Sequence, residues 1–190
     1  MKDSIRDIIK KIGDDPDRDG LKDTPERVER SRFNELYKGY KENYEEILSK
    51  VFDSEGYDEI IILRNIDFFS TCEHHLLPFT GVVHIGYLPS EKILGEVTQT
   101  LVVGASKLAR VTDMFSQRLQ IQERMTMQIA DAIEDALKPH GLGVICVAKH
   151  LCITSRGVKK PNAELITSVM RGAFRDKPST KHEFLTLLKI

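Results

Sequence analysis

The sequence predicts an α+β fold in which helices pack on an antiparallel sheet. Two observations predict it. Apolar residues recur at the helical period near both ends and in the middle of the chain, while β-prone runs fall in two pairs between them. The resulting order is helices, two strands, a long helix, two strands and a short helix, without the strict strand–helix alternation of a parallel sheet.

The first helix rests on Ile5, Ile8, Ile9 and Ile12, spaced i, i+3, i+4 and i+7. Ser4 is read as its cap and Gly13 as its end. Thr24 and Pro25 open a second helix, a capping hydroxyl followed by proline at the first helical position. Its apolar stripe is Phe33, Leu36, Tyr37 and Tyr40. Val28 stands five residues before Phe33, so the stripe slips, which predicts an extra residue or bulge between Glu29 and Arg32.

Ile60 to Leu63 reads as a strand. Thr80 to Leu88 reads as its partner, with Val83, Ile85 and Tyr87 on one face and Val82 and His84 on the other. Pro89 to Lys92 is the turn. Ser106 is placed as the cap of a long helix ending near Leu137, before Pro139-His140-Gly141. Gly143 to Thr154 and Leu165 to Val169 are the last two strands. Thr180 to Glu183 fits a capping box ahead of a final helix with Phe184, Leu187 and Leu188.

No repeat or linker divides the 190 residues. Residues 1–50 read as an N-terminal helical region and 51–190 as a sheet-bearing region, together one structural unit. Apolar content of 41% is enough for a core of useful size, and a net charge of −1 argues against a nucleic-acid or membrane-surface binder. The N-terminus has mixed charge and no apolar stretch, and no run approaches the roughly 20 residues of a membrane span. The expectation is a cytoplasmic protein. Its 3 cysteines are then ligands, nucleophiles or core residues rather than a disulfide framework.

The chemistry concentrates in Cys72-Glu73-His74-His75, a thiol, a carboxylate and two imidazoles in succession. His150-Leu151-Cys152 answers it from downstream, followed by Arg156. Cys72 and His75 are close enough for a turn to aim both at one ion. On a strand, His150 and Cys152 would share a face, with Cys146 two pleats away. Cys72, His75 and Cys152 are thus candidate zinc ligands, with His74 and His150 beside the metal. A closed structural zinc site and a metal-free arrangement of core cysteines and surface histidines both remain open on spacing alone. Arg27, Arg30, Lys107, Arg110 and Arg156 suit phosphate binding, and Gln122-Glu123 could read a guanine edge. Taken singly, each is more simply a solvated helix face.

Longer blocks carry more. Gly20-Leu21-Lys22-Asp23-Thr24-Pro25-Glu26-Arg27-Val28, Ser70 through Phe79, Ser106-Lys107-Leu108-Ala109-Arg110, Arg118 through Arg124, His150-Leu151-Cys152 and Thr167 through Gly172 appear in order. In these blocks the chain resembles GTP cyclohydrolase I, nearly end to end. The resemblance implies the tunnelling fold, an antiparallel four-stranded sheet with paired helices preceded by N-terminal helices, so that 51–190 would be the catalytic region. It implies a homodecamer, a dimer of pentamers, with active sites between subunits. It places zinc on Cys72, His75 and Cys152, and proton transfer on His74 and His150. It places guanine on Gln122 and Glu123, ribose near Ser106, and triphosphate on Lys107, Arg110, Arg156 and Arg27, with Arg30 standing where the family often has lysine. The implied reaction opens the five-membered ring of GTP at C8, releases C8 as formate and recloses ribose carbons onto the base as dihydroneopterin triphosphate.

One departure stands out. Glu96 to Val103 looks inserted between the Ile93-Leu94-Gly95 segment and the Ser106 helix, framed by Gly95 and Gly104. It reads as a self-contained excursion whose deletion the fold would tolerate. Two competing readings are another tunnelling-fold pterin or purine enzyme, and a catalytically silent zinc scaffold. The retained Glu123, His74 and His150 argue against the scaffold.

Overall fold

In the computed structural model, which describes residues 1–94 and 97–189, the N-terminal region is helical as expected, but its details differ. Helix α1 (Lys2–Lys11) has Met1 at its cap position, so Ser4 lies inside it; Gly13 follows its end with φ +93°. Ile9 is buried, whereas Ile8 and Ile12 are 55% and 76% exposed. Helix α2 (Thr24–Ser31) has Asp23 at its cap and no capping bond from Thr24; Pro25 sits in its first turn. The helix then widens into a π-turn, Arg32–Leu36, closed by the Tyr37 amide on the Arg32 carbonyl at 3.0 Å. That turn is the extra residue betrayed by the slipped stripe, but it begins at Arg32, the last residue of the expected stretch, and runs on to Leu36. A 3₁₀ turn, Lys38–Lys41, leads to α3 (Tyr44–Leu48), capped by the Asn43 side chain.

The strands are β1 (Val51–Asp53), β2 (Ile61–Cys72), β3 (Pro78–Leu88), β4 (Glu91–Leu94), β5 (Val97–Val103), β6 (Leu119–Gln120), β7 (Gly141–His150) and β8 (Leu165–Gly172). Between and after them lie α4 (Ala105–Ser116), α5 (Gln122–Leu137), α6 (Leu151–Thr154), α7 (Ala173–Asp176) and α8 (Pro178–Leu188). The main sheet has five strands in the order β6-β2-β3-β7-β8. The expected four antiparallel strands are β2, β3, β7 and β8; β6 adds a short parallel edge beside Thr71 and Cys72.

Helices α4 and α5 cover one face. Val83, Ile85 and Tyr87 of β3 are fully buried in the same core as Leu108, Val111, Met114, Met125, Ile129 and Ile133. A second cluster, with the edge-to-face pair Phe174–Phe184 at 5.0 Å, packs α7 and α8 on the sheet. A Cβ at Gly143 would stand 2.7 Å from the Phe184 ring, so glycine is what lets this helix settle.

The long helix predicted from Ser106 to Leu137 is two helices. Gly104, not Ser106, is the cap of α4. The break at 117–121 exists because β6 pairs with the end of β2, and the Arg118 guanidinium takes the carbonyls of Met114 and Gly39. Tertiary pairing outweighs local helix propensity there. Similarly, α8 starts at Pro178, so the box from Thr180 to Glu183 falls inside the helix and caps nothing.

The inserted segment is also corrected. Gly95 and Glu96 lie outside the described residues, but 97–103 is strand β5, central in a sheet of order β1-β5-β4. Leu101 and Val103 are buried, and Val103 joins the main core. Beyond the reach of β4, the Val103 amide donates to the Tyr87 hydroxyl at 3.2 Å. The segment is therefore tied to β3, not an excursion that can be cut away.

Candidate metal centre

Strands β2 and β3 form a hairpin whose closed end carries the first two ligand candidates. Cys72 is the last residue of β2, and its amide donates to Leu77 O at 2.8 Å. The intervening turn is tight: the Leu76 amide returns to Cys72 O at 2.8 Å, and Leu76 takes a left-handed φ of +54°. This turn brings His75 Nδ1 to 3.9 Å from Cys72 Sγ.

The third candidate arrives from β7. That strand ends at His150, and Cys152 lies in the helical turn α6, so the expected continuous strand to Thr154 is not formed. The turn rather than a strand pleat aims Cys152 Sγ to 4.0 Å from Cys72 Sγ. Cys146 stays behind in the core, its thiol pushed up to about 12 by burial.

Cys72, His75 and Cys152 place their donor atoms within 4.8 Å of one another. A tetrahedral zinc ion with bonds of about 2.1–2.3 Å separates its ligand atoms by roughly 3.5–3.8 Å, close to the sulfur–sulfur and sulfur–nitrogen spacings here. Burial, and then the neighbouring Cys72, push the Cys152 thiol up. Two adjacent thiols can both ionise only beside a compensating cation. Soft thiolates with one imidazole fit zinc and exclude hard cations as the preferred occupant.

Around this group the other candidates divide. His74 is exposed, with Nε2 3.9 Å from Glu73 Oε1. His150 is buried, stacks on Phe79 at 4.4 Å with rings 5° apart, and meets Gln122 Oε1 through Nε2 at 2.8 Å. Burial lowers its pKa, opposed by the Glu123 carboxylate. Glu123 is exposed at the start of α5, and its carboxylate makes no hydrogen bond among the described residues. Arg156 is exposed just beyond α6.

Ser106, Lys107 and Arg110 are elsewhere. They lie in the first turns of α4, directly after Val103, which is bonded to Tyr87. Tyr87 pairs with Ile61, whereas Pro78 pairs with Thr71 beside Cys72. Nine strand residues at ~3.3 Å each separate these ends by roughly 30 Å. Arg27 is on α2, bonded to Asp23 at 3.3 Å. Within one chain, Ser106, Lys107 and Arg110 therefore lie at the opposite end of the sheet from the metal group.

Sequence reasoning missed Arg124. Its guanidinium pairs with Glu73, reaches Gln120 Oε1 at 3.1 Å and takes Leu119 O at 3.2 Å. The Arg124 hydrogen bond holds the Glu73 carboxyl below its usual range. Glu73, counted among the ligand types, therefore anchors the ligand turn to α5. Nothing in the spacing of 51 residues announces that pair. The stacking role of Phe79 was equally unreadable, although strand pairing with His150 explains it.

The sequence model of the family described as GTP cyclohydrolase I matches residues 1–189. The GTP cyclohydrolase 1 of Chlorobium chlorochromatii is 50% identical over 190 residues, covering 100% of this chain and 80% of that protein. That of Coxiella burnetii is 48% identical over 189 residues, covering 100% and 97%. Among solved structures, the apo form of an archaeosine synthase QueF-like protein is similar with a TM-score of 0.46 at 13% identity, covering 61% of this chain and 96% of that one.

Proposed function

Because the chain belongs to the GTP cyclohydrolase I family, we propose that it is a zinc-dependent enzyme converting GTP and water to 7,8-dihydroneopterin triphosphate and formate, the entry step of pterin and folate synthesis. GTP cyclohydrolase activity follows from family and identity. The observation that carries the finer reading is the Cys72–His75–Cys152 group, a three-ligand set of the kind catalytic zinc sites use, with two histidines beside it.

Cys72, His75 and Cys152 would hold the ion. When bound, zinc would supply Lewis acidity that makes water nucleophilic near neutral pH. His74 and His150 are the proton-transfer groups of the reading; imidazoles suit repeated transfers near pH 7. Glu123, exposed and with no hydrogen bond from its carboxylate among the described residues, is suited to accept from the N1–H and exocyclic amine of guanine. Ser106 would lie near the ribose. Lys107, Arg110, Arg156 and Arg27 would neutralise the triphosphate, with guanidinium forks favouring bidentate contact.

The separation of Ser106, Lys107 and Arg110 from the metal group supports sites shared between subunits. So do the exposed apolar side chains Ile8, Ile12, Phe69 and Ile166, which a homodecamer of two pentameric rings would cover. The five-stranded sheet with α4 and α5 on one face supports the tunnelling fold. Division into 1–50 and 51–190 is retained as one unit, since α3 packs on α4 and α5. No described helix is long and apolar enough to cross a membrane. Cytoplasmic residence and a lack of nucleic-acid partners belong to the same reading.

The test is incubation with GTP, with and without a chelator. Formate and an oxidisable, fluorescent neopterin product are expected, both lost on chelation and restored by zinc. GTP left intact by zinc-loaded protein would overturn the reading.

A further inference from the structure

Gln122 is fully buried at the first position of α5, and its side-chain amide is enclosed on every side. Nε2 lies 3.0 Å from Cys146 O, 2.9 Å from Leu165 O and 3.2 Å from Thr167 Oγ1. Carbonyl oxygens only accept, so this end of the amide must be the NH₂. Reversing it would set Oε1 against two carbonyls with no proton between them.

The neighbouring hydroxyls enforce the same direction. Thr126 donates to Gln122 O at 2.8 Å. Its single proton is then committed, so Thr167 is the donor in the 2.6 Å contact between the two hydroxyls. The Thr167 oxygen consequently faces Gln122 as an acceptor. Oε1 is left facing His150 Nε2 at 2.8 Å, and an amide oxygen can only accept. Nε2 must therefore carry the hydrogen. Phe79, stacked flat on the imidazole, holds the ring plane.

We infer that Gln122 is a positioning residue that holds His150 as its Nε2–H tautomer, so that the lone pair, and any proton exchanged in the reaction, is at Nδ1. This reassigns Gln122 from guanine to His150; guanine reading is left to Glu123. The inference rests on the proposed proton-transfer role of His150, and it resembles the way a ligand or base histidine is oriented through its other nitrogen.

The direct test needs no variant of Gln122. Protein labelled with ¹⁵N-histidine, kept as the intact assembly and loaded with zinc, is measured by magic-angle-spinning NMR at about pH 8, where a free imidazole is neutral. The His150 signals are those missing in His150→Ala. A protonated Nε2 and bare Nδ1 are expected; a proton on Nδ1 overturns the inference. Kinetics supply the second arm. Gln122→Met should lower kcat by ~10–10³-fold with the KM for GTP unchanged, because it disturbs a proton-transfer group worth ~10²–10⁴-fold. A raised KM with unchanged kcat would make Gln122 a substrate contact and overturn it. The tautomer is read without turnover, so failure of the GTP assay would refute the reaction while this measurement still decided the positioning.

Discussion

Tyr87→Phe removes one oxygen atom and tests how the inserted strand is tied to the core. Tyr87 is 0% exposed and Val103 5%, so no water can replace the lost hydroxyl. The Val103 amide would keep its proton and lose its acceptor at 3.2 Å. A buried donor left unpaired costs about 1–3 kcal/mol. Phenylalanine fills the same space, so no cavity term is added. For a domain of this size, each kcal/mol lowers Tm by roughly 2–4 °C, giving an expected drop of about 2–12 °C. Calorimetry at one fixed protein concentration measures it, because self-association of the kind proposed would make apparent stability depend on concentration. Tyr57→Phe is the control: Tyr57 is 50% exposed, and its change should stay within about 0.5 kcal/mol. If Tyr87→Phe also stays within that band, β5 is not held by this bond and the account of the insertion fails.

Deleting residues 96–103 should give insoluble or strongly destabilised protein. Leu101 and Val103 each contribute ~1.5–3 kcal/mol of burial, and β1 loses its partner; a soluble deletion with the parent's Tm would contradict this. Cys152→Ala should lose bound zinc and turnover together, measured by elemental analysis beside the formate assay, and one full zinc equivalent in the variant would remove Cys152 from the ligand set. His84 gives a pH effect. Burial, with a smaller contribution from Arg64, holds its imidazole below 6.5, and its Nδ1 accepts from the Asn65 amide at 3.2 Å. The folded state thus binds this proton less readily than the unfolded chain, so stability is full above about pH 6.5 and declines as the pH falls below it. Urea midpoints should fall more steeply between about pH 7 and 5.5 in the parent than in His84→Gln, whose amide oxygen can still accept but does not titrate; equal slopes would clear His84.

What the sequence determined by itself was local or repeated. The period of two in Val83, Ile85 and Tyr87 placed the core face of β3, and the slip after Val28 foretold the π-turn, because both are written in the spacing of adjacent residues. Cys72, His75 and Cys152 were legible because few side chains bind soft metals and these cluster. Tertiary structure decided the rest. The long helix breaks at Gln117 because Thr71 and Cys72, at the distant end of β2, offer β6 a partner. The insertion became a core strand because β1 and Tyr87 were waiting for it. Gln122 turned inward because three acceptors from β7 and β8 enclose its amide. Each of these outcomes depends on hydrogen-bonding groups from distant segments, and a buried polar group takes whatever partner the fold brings to it.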